Sequence, residues 1–166
     1  METIIKYVKW IFAWNLPRLI YDYLKKFITG RMFIYEVAPG LFQGSKFSSK
    51  DYDTLVNLGI DDIIDLEGVQ DTLPPNISLY YWPIKDIPEL PDLKELETTA
   101  RWGLERLKEG RQVLVHCAAG HNRSGLVNGR ILVLAGFSGK DAVKMIQSKV
   151  PGSLANFVFK DYIESL

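Results

Sequence analysis

Cys117 and Arg123 are separated by five residues, Ala118, Ala119, Gly120, His121 and Asn122, and Ser124 follows immediately. A thiolate is a strong nucleophile, a guanidinium can grip two phosphate oxygens at once, and a nearby hydroxyl can donate a hydrogen bond to a departing sulfur. The residues around them supply a frame for this chemistry. Gln112 to His116 is a β-branched run that predicts a buried strand, and Ser124 to Ala135 predicts a mostly apolar helix. A turn from strand into helix points unpartnered N–H groups into one small hollow at the positive end of the helix dipole, where an anion is stabilised. Gly120 permits the backbone angle that lets those amides converge. Ala118, Ala119, Gly120, His121, Asn122 and Arg123 are therefore the candidate phosphate-binding residues. Cys117, at the base of the hollow, is the candidate nucleophile: amides, helix terminus and Arg123 all favour its thiolate, and in-line attack on phosphorus would form a phosphocysteine. His116 is read as supporting, positioning Cys117 through hydrogen bonds. The alternative for Cys117 is a structural thiol, since free cysteine is commonly a small core hydrophobe.

Expelling an alkoxide or phenoxide from phosphorus also needs a proton donor. The loop after the strand Ser78 to Pro83 carries three acids, Asp86, Glu89 and Asp92. Strands ending at Pro83 and His116 would bring this loop and the Cys117 loop to the same edge of an open α/β sheet, where such sheets bind ligands.

His116, Cys117, the five-residue interval, Arg123 and Ser124 resemble the signature of the cysteine-dependent protein tyrosine phosphatases, and the small size points to their dual-specificity branch. The run from Ala38 to Ser45, Gly59 with Ile60, and the strand Ile63 to Leu66 resemble the opening of that branch, so the likeness covers about residues 33 to 166. Trp82-Pro83-Ile84-Lys85-Asp86 resembles its general-acid loop. The resemblance implies that Asp86 is the acid, and that once ionised it activates water against the phosphocysteine. Glu89 and Asp92 are rival donors. His121 and Asn122 depart from the usual occupants of such a loop; either they suit its backbone or His121 contacts substrate at the rim. Asn156 is a further candidate, for placing water late in the reaction.

The 166 residues are 47% hydrophobic and 24% charged, the composition of an ordinary globular domain. Twenty basic and twenty acidic residues cancel, which gives no reason to expect a nucleic-acid partner. The single cysteine excludes an internal disulfide and a cysteine metal cluster, and fits a reducing, cytoplasmic setting. With two histidines and no clustered ligands, no metal and no cofactor is expected.

Residues 1–29 differ from the rest. The apolar aromatic run from Ile4 to Trp14 is interrupted by Lys6 and Lys9, and Pro17 and Arg18 follow, so it is too short to span a bilayer, which needs about 20 residues. It reads as one or two amphipathic helices that pack on the domain, with peripheral membrane or partner contact as the alternative. Residues 30–166 read as the catalytic domain. Met32 to Val37 and Leu41 to Gly44 are read as paired strands across Pro39-Gly40, and Ser48 or Ser49 caps a helix to about Leu58. Asp62 to Leu66 is a buried strand. Leu93, Leu96, Ala100, Leu104 and Leu107 share one helical face, and two further helices run from Ser138 to about Lys149 and from Ala155 to Ser165. The fold class is α/β: a single domain with a central, mixed, largely parallel twisted sheet of about five strands flanked by helices, plus the N-terminal helical extension.

The leading function is hydrolysis of phosphotyrosine, phosphoserine or phosphothreonine in proteins by a monomer. A lipid phosphatase of phosphoinositide or phosphatidylglycerophosphate type at a membrane surface is the first alternative. Family members acting on polyanionic lipids often carry extra lysine or arginine in the loop, and Ala118, Ala119, His121 and Asn122 stand there instead. The alternative from another class is a phosphate-binding module without chemistry, which would need neither thiol nor acid.

Overall fold

The computed structural model describes residues 20, 24, 28–68, 70 and 72–166. The expectations for residues 1–27, except Ile20 and Leu24, fall outside these described residues. Five strands form one sheet: β1 (Ile34–Ala38), β2 (Leu41–Ser45), β3 (Ile60–Asp65), β4 (Ser78–Tyr81) and β5 (Gln112–Cys117). Their spatial order is β1-β2-β5-β3-β4. β1 pairs antiparallel with β2 across the Pro39-Gly40 turn, while β2, β5, β3 and β4 all run parallel. The central strand β5 is buried on both faces, which is why its β-branched run was readable without alternation.

Five α-helices lie among the described residues: α1 (Tyr52–Asn57), α2 (Leu93–Lys108), α3 (Asn122–Leu134), α4 (Gly139–Lys149) and α5 (Phe157–Glu164). Leu96 and Ala100 of α2 join Val113, Val115 and Cys117 of β5 and Leu126, Val127 and Ile131 of α3 in the larger core. A smaller core on the opposite sheet face gathers Phe42, Phe47, Leu55, Ile63 and Leu114. The two clusters follow the period of two along β5, with Leu114 on one face and Val113, Val115 and Cys117 on the other. Glu97 of α2 accepts from Arg130 of α3, at 2.7 Å from Nε, and fixes the two helices against each other.

Several boundaries move for identifiable reasons. The first strand begins at Ile34 because the Met32 N–H donates instead to the buried Asp51 carboxylate at 3.0 Å. That carboxylate also accepts from the Ser48 N–H at 2.9 Å, so the segment expected as one helix opens with a 3-10 turn over Ser49–Asp51 before α1 begins. The fourth strand ends at Tyr81. Trp82 and Ile84 still donate to Asp65 and Leu66 carbonyls, but Pro83 between them has no N–H and regular pairing stops. The last helix starts at Phe157, capped by the Asn156 side chain, which accepts from the Val158 N–H. No helix among the described residues is long and apolar enough to cross a membrane.

Candidate active site

The parallel strands β3, β4 and β5 carry their C-terminal ends to one edge of the sheet, and from that edge leave the loops bearing Glu67, Asp86 and Cys117. Cys117 is the last residue of β5 and is 1% exposed. The chain then curls through Ala118 to His121 and enters α3 at Asn122. The Gly120 N–H points back onto the Cys117 Sγ at 3.2 Å, and the Ser124 Oγ lies 3.5 Å from the same sulfur. Both groups can stabilise negative charge on sulfur.

This curl requires glycine at position 120. Its φ is +70°, and a Cβ there would stand 2.6 Å from the Gly44 carbonyl carbon and 2.7 Å from the Phe33 ring. Position 44 is tight in turn: a Cβ would meet the Met32 Cε at 2.9 Å. The loop is therefore pressed directly against the β2 backbone. Polar bonds fix it there. The Gln43 Nε2 donates to the Gly120 carbonyl at 2.9 Å and to the Ser153 Oγ at 2.8 Å, and the Ser153 Oγ donates to the His121 carbonyl at 2.7 Å. Asn128 of α3 donates to the Gln43 Oε1 at 3.2 Å, completing a buried network. The Lys46 N–H donates to the Ala118 carbonyl at 3.2 Å.

Arg123 follows in the first turn of α3. Its Nη1 donates to the Leu66 and Ile84 carbonyls at 3.1 and 3.2 Å, and its Nη2 meets the Glu67 carboxylate at 3.1 Å. These bonds hold the guanidinium in one orientation and span the loops after β3 and β4. The buried Nε has no hydrogen-bond partner among the described residues, which leaves a donor for an anion.

Asp86 is half-buried in the loop after β4. The Asn122 Nδ2 donates to both carboxyl oxygens at 3.2 Å, and the Asn156 Nδ2 donates to the Oδ1 at 3.4 Å and to the Ile87 carbonyl at 2.8 Å. Burial pushes the Asp86 carboxyl above the ordinary carboxylate range; the Asn122 bond, the Arg123 charge, the Asn156 bond and His121 act in the opposite direction without cancelling it. A carboxyl group that holds its proton longer than usual is suited to act as an acid.

The structure locates three further residues of the candidate site. His116 lies on the face of β5 opposite Cys117, with its Nε2 3.4 Å from the Asp65 carboxylate and its ring packed edge-on against Phe47. Its side chain thus bears on the main chain that carries Cys117, from the other side of the sheet. His121 is fully buried, its Nδ1 2.6 Å from the Ala119 carbonyl and its ring against Phe33, an arrangement that favours the backbone-shaping alternative over contact with substrate at the rim. Asn122 is 1% exposed and turns its side chain to Asp86, leaving only its backbone in the phosphate loop. Ala118 is exposed and Ala119 half-buried beside them. Glu89 and Asp92 do not share the Asp86 surroundings: Asp92 caps α2 by accepting from the Lys94 and Glu95 N–H groups, and Glu89 is exposed.

Gln43, Glu67 and Ser153 were not anticipated. The one local signal was an uncharged polar residue, Gln43, in the middle of a strand whose five residues are all buried. Among the described residues there is no group of three or more His, Cys, Asp or Glu able to hold a metal ion.

No family model matches the sequence. Human dual specificity protein phosphatase 15 is 29% identical over 129 residues, which cover 77% of this chain and 44% of that protein. The mouse protein of the same name is 27% identical over 130 residues, covering 78% and 55%. The chain thus spans about half the length of the curated relatives it matches. The crystal structure of DUSP15 superposes with a TM-score of 0.71 at 26% identity, covering 80% of this chain and 85% of that one. The sheet order, the loop spacing and these likenesses agree with one another: the chain is similar to the dual-specificity branch of the cysteine-dependent protein tyrosine phosphatases.

Proposed function

We propose that residues 30–166 hydrolyse phosphomonoesters on protein side chains, phosphotyrosine together with phosphoserine or phosphothreonine, through a phosphocysteine intermediate. The observation that carries this reading is the Cys117 sulfur held between the Gly120 N–H and the Ser124 hydroxyl at the foot of a loop closed by Arg123, with Asp86 tied to that loop. The loop amides and the free Arg123 Nε receive the phosphate. The Cys117 thiolate forms an S–P bond as the P–O ester bond breaks; the electron pair stays on the leaving oxygen, which takes the proton of Asp86. Water then attacks phosphorus, gives its proton to the Asp86 carboxylate, and the S–P bond breaks to return thiolate and free phosphate. Ser124 stabilises sulfur as it leaves.

A phosphoprotein substrate is favoured over a lipid headgroup because Arg123 is the only lysine or arginine in the loop. The test is turnover of an aryl phosphate, phosphopeptides and phospholipids by wild type and Cys117→Ser in the presence of chelator. Wild type should cleave the aryl phosphate and the phosphopeptides in preference to phospholipids. Cys117→Ser should lose turnover on all of them while still binding vanadate, because the amides and Arg123 remain. Turnover by Cys117→Ser would refute the mechanism.

A further inference from the structure

Asn122 stands in the candidate phosphate loop, but its side chain turns away to Asp86 and the Asn156 N–H. It is the first residue of α3, is 1% exposed, and spends its whole amide on the acid loop and the approach to α5. The Nδ2 bridges both oxygens of Asp86 at 3.2 Å, and the Oδ1 accepts the Asn156 N–H at 3.0 Å. Asn156 in turn donates to the Asp86 Oδ1 and the Ile87 carbonyl, and its own Oδ1 accepts from the Val158 N–H at the start of α5. Two asparagines thus close a ring around one carboxyl group, joining three segments that are distant in sequence. The Oδ1 of Asp86 accepts from two donors and the Oδ2 from one, so the Oδ2 is the oxygen with room to carry the transferable proton.

Building on the proposed hydrolysis, we infer that Asn122 is a positioning residue for the general acid: from within the phosphate loop it orients the Asp86 carboxyl, so that nucleophile and acid assemble as one unit. Proton transfer requires the acid within hydrogen-bond reach of the leaving oxygen, and small misplacements are costly. The asparagine is suited to this because it is neutral: it donates to the carboxyl without fixing its charge, and so serves Asp86 both as acid and, after ionisation, as base. The charged or titratable groups that bear on Asp86 besides this pair are Arg123 and His121, both from the same loop and helix.

The test uses the full chain and compares Asn122→Ala with Asp86→Asn on two substrates, an activated aryl phosphate whose leaving group needs no proton and an alkyl phosphomonoester whose leaving group does. Asn122→Ala should lower kcat/KM on the alkyl ester by about ten- to a hundredfold and leave kcat/KM on the aryl phosphate within roughly threefold. Vanadate affinity should be unchanged, and adding Asn122→Ala to Asp86→Asn should cost nothing further. Because the Asn122 bond favours the ionised carboxyl, its loss should also move the descending limb of the pH profile to higher pH. Asn122→Asp is isosteric and keeps the acceptor for the Asn156 N–H; it remains informative if the alanine variant does not fold. Placing a second carboxyl against Asp86, it should move the same limb upward and slow the alkyl ester. Equal loss on both substrates with weakened vanadate binding would overturn the inference, since Asn122 would then only shape the phosphate loop; so would an unchanged alkyl rate and pH limb in either variant. If Asp86→Asn slows the alkyl ester and the Asn122 variants do not, the inference alone fails. If Asp86→Asn has no effect on it, the acid assignment and the inference fail together.

Discussion

The two candidate catalytic loops are held in different ways. The loop from Cys117 to Arg123 is pressed onto the β2 backbone at Gly44 and secured by the buried Gln43, Ser153 and Asn128 network. The loop from Trp82 to Asp92 has irregular backbone and three prolines, and the contacts that place its acid are side-chain amides from Asn122 and Asn156 together with the Arg123 bond to the Ile84 carbonyl. The proposed nucleophile is thus part of the core, whereas the proposed acid is attached to it. A rigid anion site and a separately tethered acid need different kinds of disruption, and their failures should be distinguishable.

The largest expected effect falls on the tethered loop. Asp86→Asn should lower kcat/KM on poor leaving groups by about 10²- to 10⁴-fold while sparing kcat/KM on an activated aryl phosphate, whose kcat falls only through slower phosphocysteine hydrolysis. In the wild type the descending limb should lie above the ordinary carboxylate range, because burial raises the Asp86 carboxyl and keeps it protonated to higher pH. Measuring kcat/KM against pH for both proteins checks this, and the limb should vanish in the variant. Were Glu89→Gln or Asp92→Asn to show that behaviour instead, the two-loop comparison would have the wrong acid.

On the rigid side, Gly120→Ala should destabilise the fold by roughly 2–4 kcal/mol, combining left-handed strain with a backbone collision at Gly44. Gly136→Ala is the control. Its φ of +104° is also unfavourable, but nothing lies within 4 Å of an added Cβ, so chemical denaturation should show a smaller loss. Equal losses would mean that the contact with β2 contributes nothing. The smallest effect is expected at Ser153→Ala, which removes the hydroxyl bonding the His121 carbonyl and leaves the Gln43 amide a partner short; about 1–3 kcal/mol of stability should be lost, with the preference between leaving groups unchanged.

The same division explains what could be read from sequence. Cys117, Gly120, Arg123 and Ser124 lie within one strand-turn-helix unit, so spacing and residue type announced the loop. The mixed sheet was legible because each strand is a short apolar run bounded by turn residues. Asp86 came from resemblance and from the edge to which parallel strands deliver their loops. The supports were not legible, because each spans a long stretch of chain: Gln43 meets Ser153 across 110 residues, Arg123 meets the Leu66 carbonyl across 57, and Asn122 meets Asp86 across 36. A polar residue in a buried strand declares that it needs a partner but does not say which. For the same reason His121 and Asn122, placed in the phosphate loop by sequence, could not be seen to face the interior and the acid.

The central claim is a covalent intermediate on Cys117, and trapping it is the most direct measurement. With an activated aryl phosphate, Asp86→Asn should still form the phosphocysteine but hydrolyse it slowly, since the base that activates water is gone. Acid-quenched at steady state and analysed by peptide mass spectrometry, that variant should carry phosphate on Cys117 and on no other residue. Continued turnover with Cys117 unmodified, or with the phosphate found on another side chain, would contradict the account.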